Sequence, residues 1–442
     1  MATRSRKKQH ATHPLFERVG AYHGIEEYRH KKNGLRVLYR HDDTSPVVGL
    51  MVTYLVGSRH EAIGNTGSTH LLEHLMFKGS KNFPKKHGIS VLELLSEKGA
   101  LVNASTWLDR TNYFEVLPKE QFDFALRLEA DRMRNAIITR KDLDEEMPAV
   151  RSEYAMGEND PMESLDKHLW ASAYMAHPYH HSTIGWLSDI EGVSIERLKH
   201  FYDTYYWPNN AVVTVIGDAS RDEVLALIDR YFGVHPRSPH AIPEPYTTEP
   251  KQLGRRFVEV KRAGTKNMLA FAYKVPEALH QDTPALMALS SILADGQTSR
   301  LYRALVEKNL ATSVRSVYMP FRDPSLLTIY VTLTEGISHA RVEKAFRTII
   351  ATMLDAGVSE DELARVLSRL ETEIAFARDG HYAMLSNLNE AIAVGDWKFF
   401  FDLPETMGRV TTDDISRVSR TYLCDEGETL GYYCGIDTHT TL

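Results

Sequence analysis

The sequence predicts an α+β protein of two homologous domains, each an antiparallel-rich β-sheet with helices packed on one side. Three observations point there. Segments with strand patterning stand next to one another and are followed by runs of helix-patterned sequence. The same order recurs in the second half of the chain. The halves also close alike: a helical stretch over 195–205 leads into Ala211-Val212-Val213-Thr214-Val215-Ile216-Gly217-Asp218, and one over 413–422 leads into Thr429-Leu430-Gly431-Tyr432-Tyr433-Cys434-Gly435-Ile436-Asp437. Thr204-Tyr205 and Thr421-Tyr422 precede the closing glycines Gly217 and Gly435 at similar distances, and those glycines lie 218 residues apart.

In chain order, residues 35–41 and 47–56 read as strands, and 67–78 and 90–98 as helices. Two strands follow across 100–117, with Asp109-Arg110-Thr111-Asn112 as the turn, then helices over 119–135 and 140–157. Residues 233–254 carry Pro236, Pro239, Pro243, Pro245 and Pro250 with no periodic apolar spacing, which reads as an extended surface linker. Beyond it come strands at 256–261 and 266–275, helices at 283–293 and 299–308, strands at 313–319 and 326–333, and helices at 338–355 and 359–379. The expected division is a domain over 1–235, a proline-rich linker over 236–254 and a second domain over 255–442.

Composition excludes several classes. With 442 residues, 43% hydrophobic and 25% charged, the chain is globular and long enough for two or three cores. A formal charge of -7 argues against nucleic-acid binding by bulk electrostatics. No apolar run is long enough to span a membrane. Two cysteines, Cys424 and Cys434, cannot form a disulfide framework or a four-thiolate zinc site, and are expected to be buried free thiols. Residues 1–10 start basic with no apolar stretch behind, so they read as a short tail rather than a secretory signal. A cytoplasmic location follows, or a periplasmic one if a signal has been removed.

The chemistry concentrates in Gly67-Ser68-Thr69-His70-Leu71-Leu72-Glu73-His74-Leu75-Met76-Phe77-Lys78-Gly79. Ser68 or Thr69 can cap the start of a helix and Gly79 can end it. His70 and His74 are four apart and project from one helix face, the spacing at which two imidazoles hold one metal ion. Glu73 lies beside them without having to be a ligand. His-x-x-Glu-His, the inverted zinc-peptidase signature, arises by chance roughly 0.07 times in a chain of this length. A catalytic zinc site needs a third protein ligand and an open position for water. Asp144, Glu145, Glu146, Glu153 and Glu158 are candidates, with Pro148 able to kink the helix between them. Tyr179-His180-His181-Ser182 reads instead as an exposed loop. Asp295-Gly296-Gln297-Thr298-Ser299-Arg300 has too little glycine and no lysine to be a phosphate loop.

Gly-x-x-His-x-x-Glu-His-x-x-Phe-x-Gly followed by Glu146-x6-Glu153 resembles the pitrilysin or insulinase family of zinc peptidases, in its mitochondrial-processing-peptidase-like bacterial branch. Asn103-Ala104-Ser105-Thr106, Tyr206-Trp207-Pro208-Asn209-Asn210, Ile216-Gly217-Asp218 and Asp295-Gly296 followed by Ser299-Arg300-Leu301-Tyr302 extend the resemblance over nearly the whole chain. The resemblance implies that His70, His74 and Glu153 bind one Zn2+, that Glu73 is the general base, and that Glu146 backs a ligand without touching the metal. It further implies a peptide substrate added as a strand to a sheet edge at Leu101, Val102, Asn103 and Ala104.

One departure stands out. Self-sufficient members of the family carry an Arg and a Tyr in the second half that hold the substrate, and here Val306 and Thr312 stand in their places. Arg303 or Arg315 could substitute. The sharper expectation is a homologous partner subunit, itself without zinc, that supplies the pair. The sequence thus implies a zinc metalloendopeptidase acting on peptides or unfolded segments as the active member of a hetero-oligomer. The alternatives are a non-catalytic scaffold subunit that keeps the fold, and a purely structural zinc site.

Overall fold

The computed structural model describes residues 13–85 and 90–436. The basic start and Asp437 lie outside them. The first half runs β1 (Phe16–Tyr22), β2 (Ile25–His30), β3 (Arg36–His41), β4 (Val47–Tyr54), α1 (Ser68–Leu75), α2 (Val91–Ser96), β5 (Leu101–Thr106) and β6 (Thr111–Pro118). It continues with α3 (Phe122–Asn135), α4 (Arg140–Asn159), α5 (Pro161–Ala173), α6 (Leu187–Gly192), α7 (Ile195–Tyr205), β7 (Ala211–Gly217) and α8 (Arg221–Phe232). The second half runs β8 (Arg256–Ala263), β9 (Asn267–Val275), α9 (Thr283–Ala294), β10 (Ala311–Tyr318) and β11 (Ser325–Leu333). Helices α10 (His339–Ala356), α11 (Glu360–Phe376), α12 (His381–Val394), α13 (Phe399–Met407) and α14 (Thr412–Tyr422) lead to β12 (Glu428–Ile436). No helix among the described residues is long and apolar enough to cross a membrane.

Seven strands form one sheet in the order β1-β2-β3-β7-β4-β6-β5, and five form a second in the order β10-β11-β9-β12-β8. From its other edge, the second sheet repeats the β3-β7-β4-β6-β5 run strand for strand. Each sheet has one parallel pair at matching places, β3 with β7 and β8 with β12, and is otherwise antiparallel. The α+β fold with two homologous halves is as the sequence predicts. Strands β1 and β2, and helices α5, α6, α8, α12 and α13, are additions to it.

Each sheet packs one face on helices of its own half, and the two halves cover each other's remaining face. Leu385, Leu388 and Ile392 of α12 pack on Leu38, Met51 and Val212 of the first sheet. Reciprocally, Leu165 and Leu169 of α5 pack on Met268, Ala270 and Ala272 of the second. Two strand glycines make room for these helices: a Cβ on Gly49 would stand 2.7 Å from Leu385, and one on Gly431 would stand 3.0 Å from Leu165. Polar ties reinforce the exchange. Arg59 Nε donates to Asp323 at 2.5 Å, and Asp109, beside the turn that follows β5, accepts from the Arg322 backbone N–H at 3.2 Å. Burial pushes the Asp109 carboxyl up to about 6.

Residues 236–255 hold no helix or strand. Glu249 pins this segment. Its carboxylate accepts from the backbone N–H of Met175, Ala176 and His177 at 2.9–3.1 Å and from Lys274 Nζ at 2.8 Å. Burial opposes its charge, but Lys274 and the three N–H donors outweigh burial and hold the carboxyl down at about 2. Glu249→Gln is expected to destabilise the chain at pH 7 by about 1.5–3 kcal/mol. Because the folded carboxyl titrates below its ordinary 4.5, the gap is full above that pH and fades as pH falls toward 2. Urea unfolding of both proteins at pH 7 and pH 3 checks this; a gap of equal size at both contradicts it.

Cys424 and Cys434 are free, but both are partly exposed rather than buried. Cys424 follows α14 at its exposed end, and Cys434 lies on the β12 strand that only the edge strand β8 flanks on one side.

Candidate metal centre

The centre is built on α1, whose start is held from outside the helix. Neither Ser68 nor Thr69 caps it. Instead the buried Glu61 carboxylate accepts from the N–H of Gly67 at 2.8 Å and of Thr69 at 2.7 Å, an acidic group at a helix N-terminus. Gly67 has φ +84, and a Cβ there would lie 2.4 Å from the Ile184 carbonyl oxygen, so only glycine allows this approach. Leu71, Leu72 and Leu75 are buried in the first core. That orients the opposite flank of α1, carrying His70 and His74, toward α4.

Glu153 of α4 meets them. The two Nε2 atoms are 3.3 Å apart, and the Glu153 oxygens lie 3.5 Å from His70 Nε2 and 3.7 Å from His74 Nε2. The edge of a tetrahedron with arms of about 2.0–2.1 Å, the usual zinc–nitrogen length, is about 3.3–3.4 Å. The two histidine nitrogens match one such edge, and the two Glu153 oxygens, one toward each histidine, stand slightly beyond it; one donor atom from each residue lies within 4.8 Å of the others. Two imidazole nitrogens facing each other this closely are also unfavourable unless a proton or a cation lies between them. Burial, with His74 adding to it, pushes His70 down to about 4, so its imidazole is neutral at pH 7, the form that ligates metal. Two imidazoles and a carboxylate suit Zn2+.

Glu146, two helical turns before Glu153, accepts from His74 Nδ1 at 3.0 Å and pairs with Lys78 through its other oxygen. This fixes the His74 proton on Nδ1 and turns the Nε2 lone pair toward Glu153 and His70. Burial works against the Glu146 charge, but Lys78 and His74 keep its carboxyl below the usual range. Pro148 sits inside α4 without ending it, so both glutamates keep the aim that seven-residue spacing gives them. His70 Nδ1 is buried with no protein partner among the described residues.

Glu73 is buried and stands clear of the three-atom cluster. Its Oε2 accepts from the Thr106 hydroxyl at 2.6 Å, and burial raises its carboxyl above the usual range. Thr106 ends β5, the edge strand of the first sheet, which among the described residues pairs only with β6. Leu101 and Asn103 are exposed, while Val102 and Ala104 are half-buried toward the α1 side. The strand therefore offers a free edge of backbone N–H and C=O groups leading to the cluster.

A cavity of about 480 Å3 opens beside His70 and Glu153 and runs to the second sheet. Trp107, Met162, Trp170 and Phe321 give it apolar walls, and Arg315 of β10 reaches it from the second half. Val306 packs against the second core and Thr312 is exposed on β10. Arg303 lines a different groove with Arg300 and Lys308.

The Tyr179–Ser182 loop is not the exposed loop its polarity suggests. Tyr179 and His181 are buried, and His181 Nε2 shares a hydrogen bond with Glu61 at 3.1 Å, so this loop braces the start of α1. Sequence reasoning also missed Glu61, Lys78 and Thr106 as supports for the centre; none carries a local pattern marking its partner.

Comparison with known proteins gives the family. Residues 36–185 match the model described as insulinase (peptidase family M16), and residues 192–370 match the one described as peptidase M16 inactive domain. The zinc protease PqqE of Helicobacter pylori is 30% identical over 403 residues, covering 90% of each chain. YmxG of Bacillus subtilis, an uncharacterized zinc protease, is 24% identical and covers 88% of this chain and 93% of its own. The crystal structure of a protease from Helicobacter pylori superposes with a TM-score of 0.87 at 28% identity, over 92% of this chain and 99% of that one.

Proposed function

Because the chain belongs to the insulinase family of peptidases, M16, we propose that it is a zinc-dependent endopeptidase acting on peptides or unfolded polypeptide segments. The supporting observation is the gathering of one donor atom each from His70, His74 and Glu153 within 4.8 Å of one another, with Glu73 beside them and free of the cluster. These three residues would hold the metal, in a catalytic unit spanning residues 1–235 and joined through 236–254 to a second unit over 255–442. When bound, Zn2+ supplies Lewis acidity toward water and the scissile carbonyl. Glu73 receives the proton of the attacking water on its carboxylate and returns it to the leaving amine. Thr106 holds that carboxylate in place through Oε2, leaving Oε1 without a protein donor among the described residues. The edge of β5 at Leu101, Val102, Asn103 and Ala104 receives the substrate as an added strand through backbone hydrogen bonds.

We further propose that a homologous subunit without zinc supplies the Arg/Tyr pair for which Val306 and Thr312 stand here. A Schizosaccharomyces pombe relative, 25% identical, carries the name of a mitochondrial-processing peptidase subunit beta, which supports assembly of this kind. Electrostatic donors of that type are worth about 10²–10³-fold in rate. The purified chain alone is therefore expected to cleave a quenched unstructured peptide at least about 10²-fold more slowly than the chain with its partner. Full activity of a homogeneous single-chain preparation contradicts the partner; absence of turnover with every co-purifying subunit favours the scaffold reading.

A further inference from the structure

A strand added to β5 satisfies only one of its own two edges. The carbonyls on its other edge point away from β5, across the cavity, and each needs a donor if it is to be buried there. Helices α4 and α5 line the same cavity as His70 and Thr106, and Tyr154, next after Glu153, is among their lining residues.

The Tyr154 hydroxyl is bonded in an unusual sense. Lys167 Nζ donates to it at 2.6 Å, and an ammonium can only donate, so the phenol oxygen is the acceptor and its own proton is left to give elsewhere. No acceptor for that proton is found among the described residues. Lys167 cannot turn away easily. Its side chain is only 9% exposed, it pairs with Glu158 at 2.7 Å, and it lies 4.8 Å from the centre of the Trp186 ring. Glu158 is held in turn by Arg262 from the second half. A cation donating into a phenol oxygen polarises the O–H and makes it the stronger donor.

Resting on the peptidase reading, we propose that Tyr154, polarised by Lys167, is a substrate-binding residue that donates its hydroxyl proton to a backbone carbonyl of the bound strand. It acts on the strand edge that β5 leaves unpaired. It gives the chain a backbone contact of its own, independent of any donor a partner brings.

The test uses the full chain in its zinc-loaded Glu73→Gln form, which holds substrate without cleaving it. Binding of a fluorescent unstructured peptide is measured for this protein and for the same protein carrying Tyr154→Phe, which keeps the ring and loses the hydroxyl. The expected result is a Kd about 10-fold higher for the Phe form, with unchanged zinc content and unfolding midpoint. Lys167→Met is expected to weaken binding less, since the phenol proton remains. Equal Kd values with and without the Tyr154 hydroxyl overturn the proposal, and so does an absence of peptide binding to the Glu73→Gln protein. Turnover by the wild-type chain with its partner is scored separately, so the peptidase reading can stand when this assignment falls.

Discussion

Glu73→Gln is expected to lower peptide turnover by about 10³-fold while leaving the metal in place, the size of effect a positioned general base contributes. The reasoning is geometric. Glu73 is on the turn that carries both histidines, yet its carboxylate is engaged by the Thr106 hydroxyl at 2.6 Å rather than grouped with the three cluster atoms. Gln is isosteric and its carbonyl oxygen can still accept from Thr106, so the local packing survives. What it lacks is a basic oxygen to take a proton from water. Turnover of a quenched peptide beside the zinc content of both proteins checks this. Equal rates reject Glu73 as the base, and a loss of zinc would mean it is a ligand.

Glu153→Gln is expected to have the opposite signature: loss of zinc first, and of activity as its consequence. An amide oxygen carries no charge to offset the dication, and only two imidazoles remain. The loss of affinity should exceed the about 10–100-fold typical of removing a carboxylate that merely backs a ligand, the place Glu146 holds. Folding should change little, because Glu153 is half-exposed and α4 is anchored through Leu143 and Val150. Metal competition with a chromophoric chelator, together with unfolding midpoints, measures both quantities. A variant that keeps stoichiometric zinc at wild-type affinity contradicts the assignment of Glu153 as third ligand.

The parts of this molecule that were legible in sequence are those whose physics is local. His70, Glu73 and His74 share one helical turn, so their geometry is written in their spacing. Glu146 and Glu153 likewise share a face through the seven-residue interval, but that α4 meets α1 is a tertiary fact. Only the family resemblance carried it. Helices α5 and α12 were missed because each packs on the sheet of the opposite half, so the surfaces that stabilise them lie more than eighty residues away in sequence. Strands β1 and β2 pair with each other and carry charged residues such as Glu26, Glu27 and Arg29, which blur their alternation. His181 read as loop because polarity is the local signal, whereas its burial comes from Glu61, 120 residues earlier.

Zinc K-edge X-ray absorption on the loaded wild-type chain probes the convergence of α1 and α4 on one ion most directly. One zinc per chain, with two imidazole nitrogens and carboxylate or water oxygens at about 2.0–2.2 Å, is the predicted result. A spectrum that keeps the same ligand set in the Glu153→Gln protein, or a wild-type chain that retains no zinc after dialysis against metal-free buffer, would contradict it.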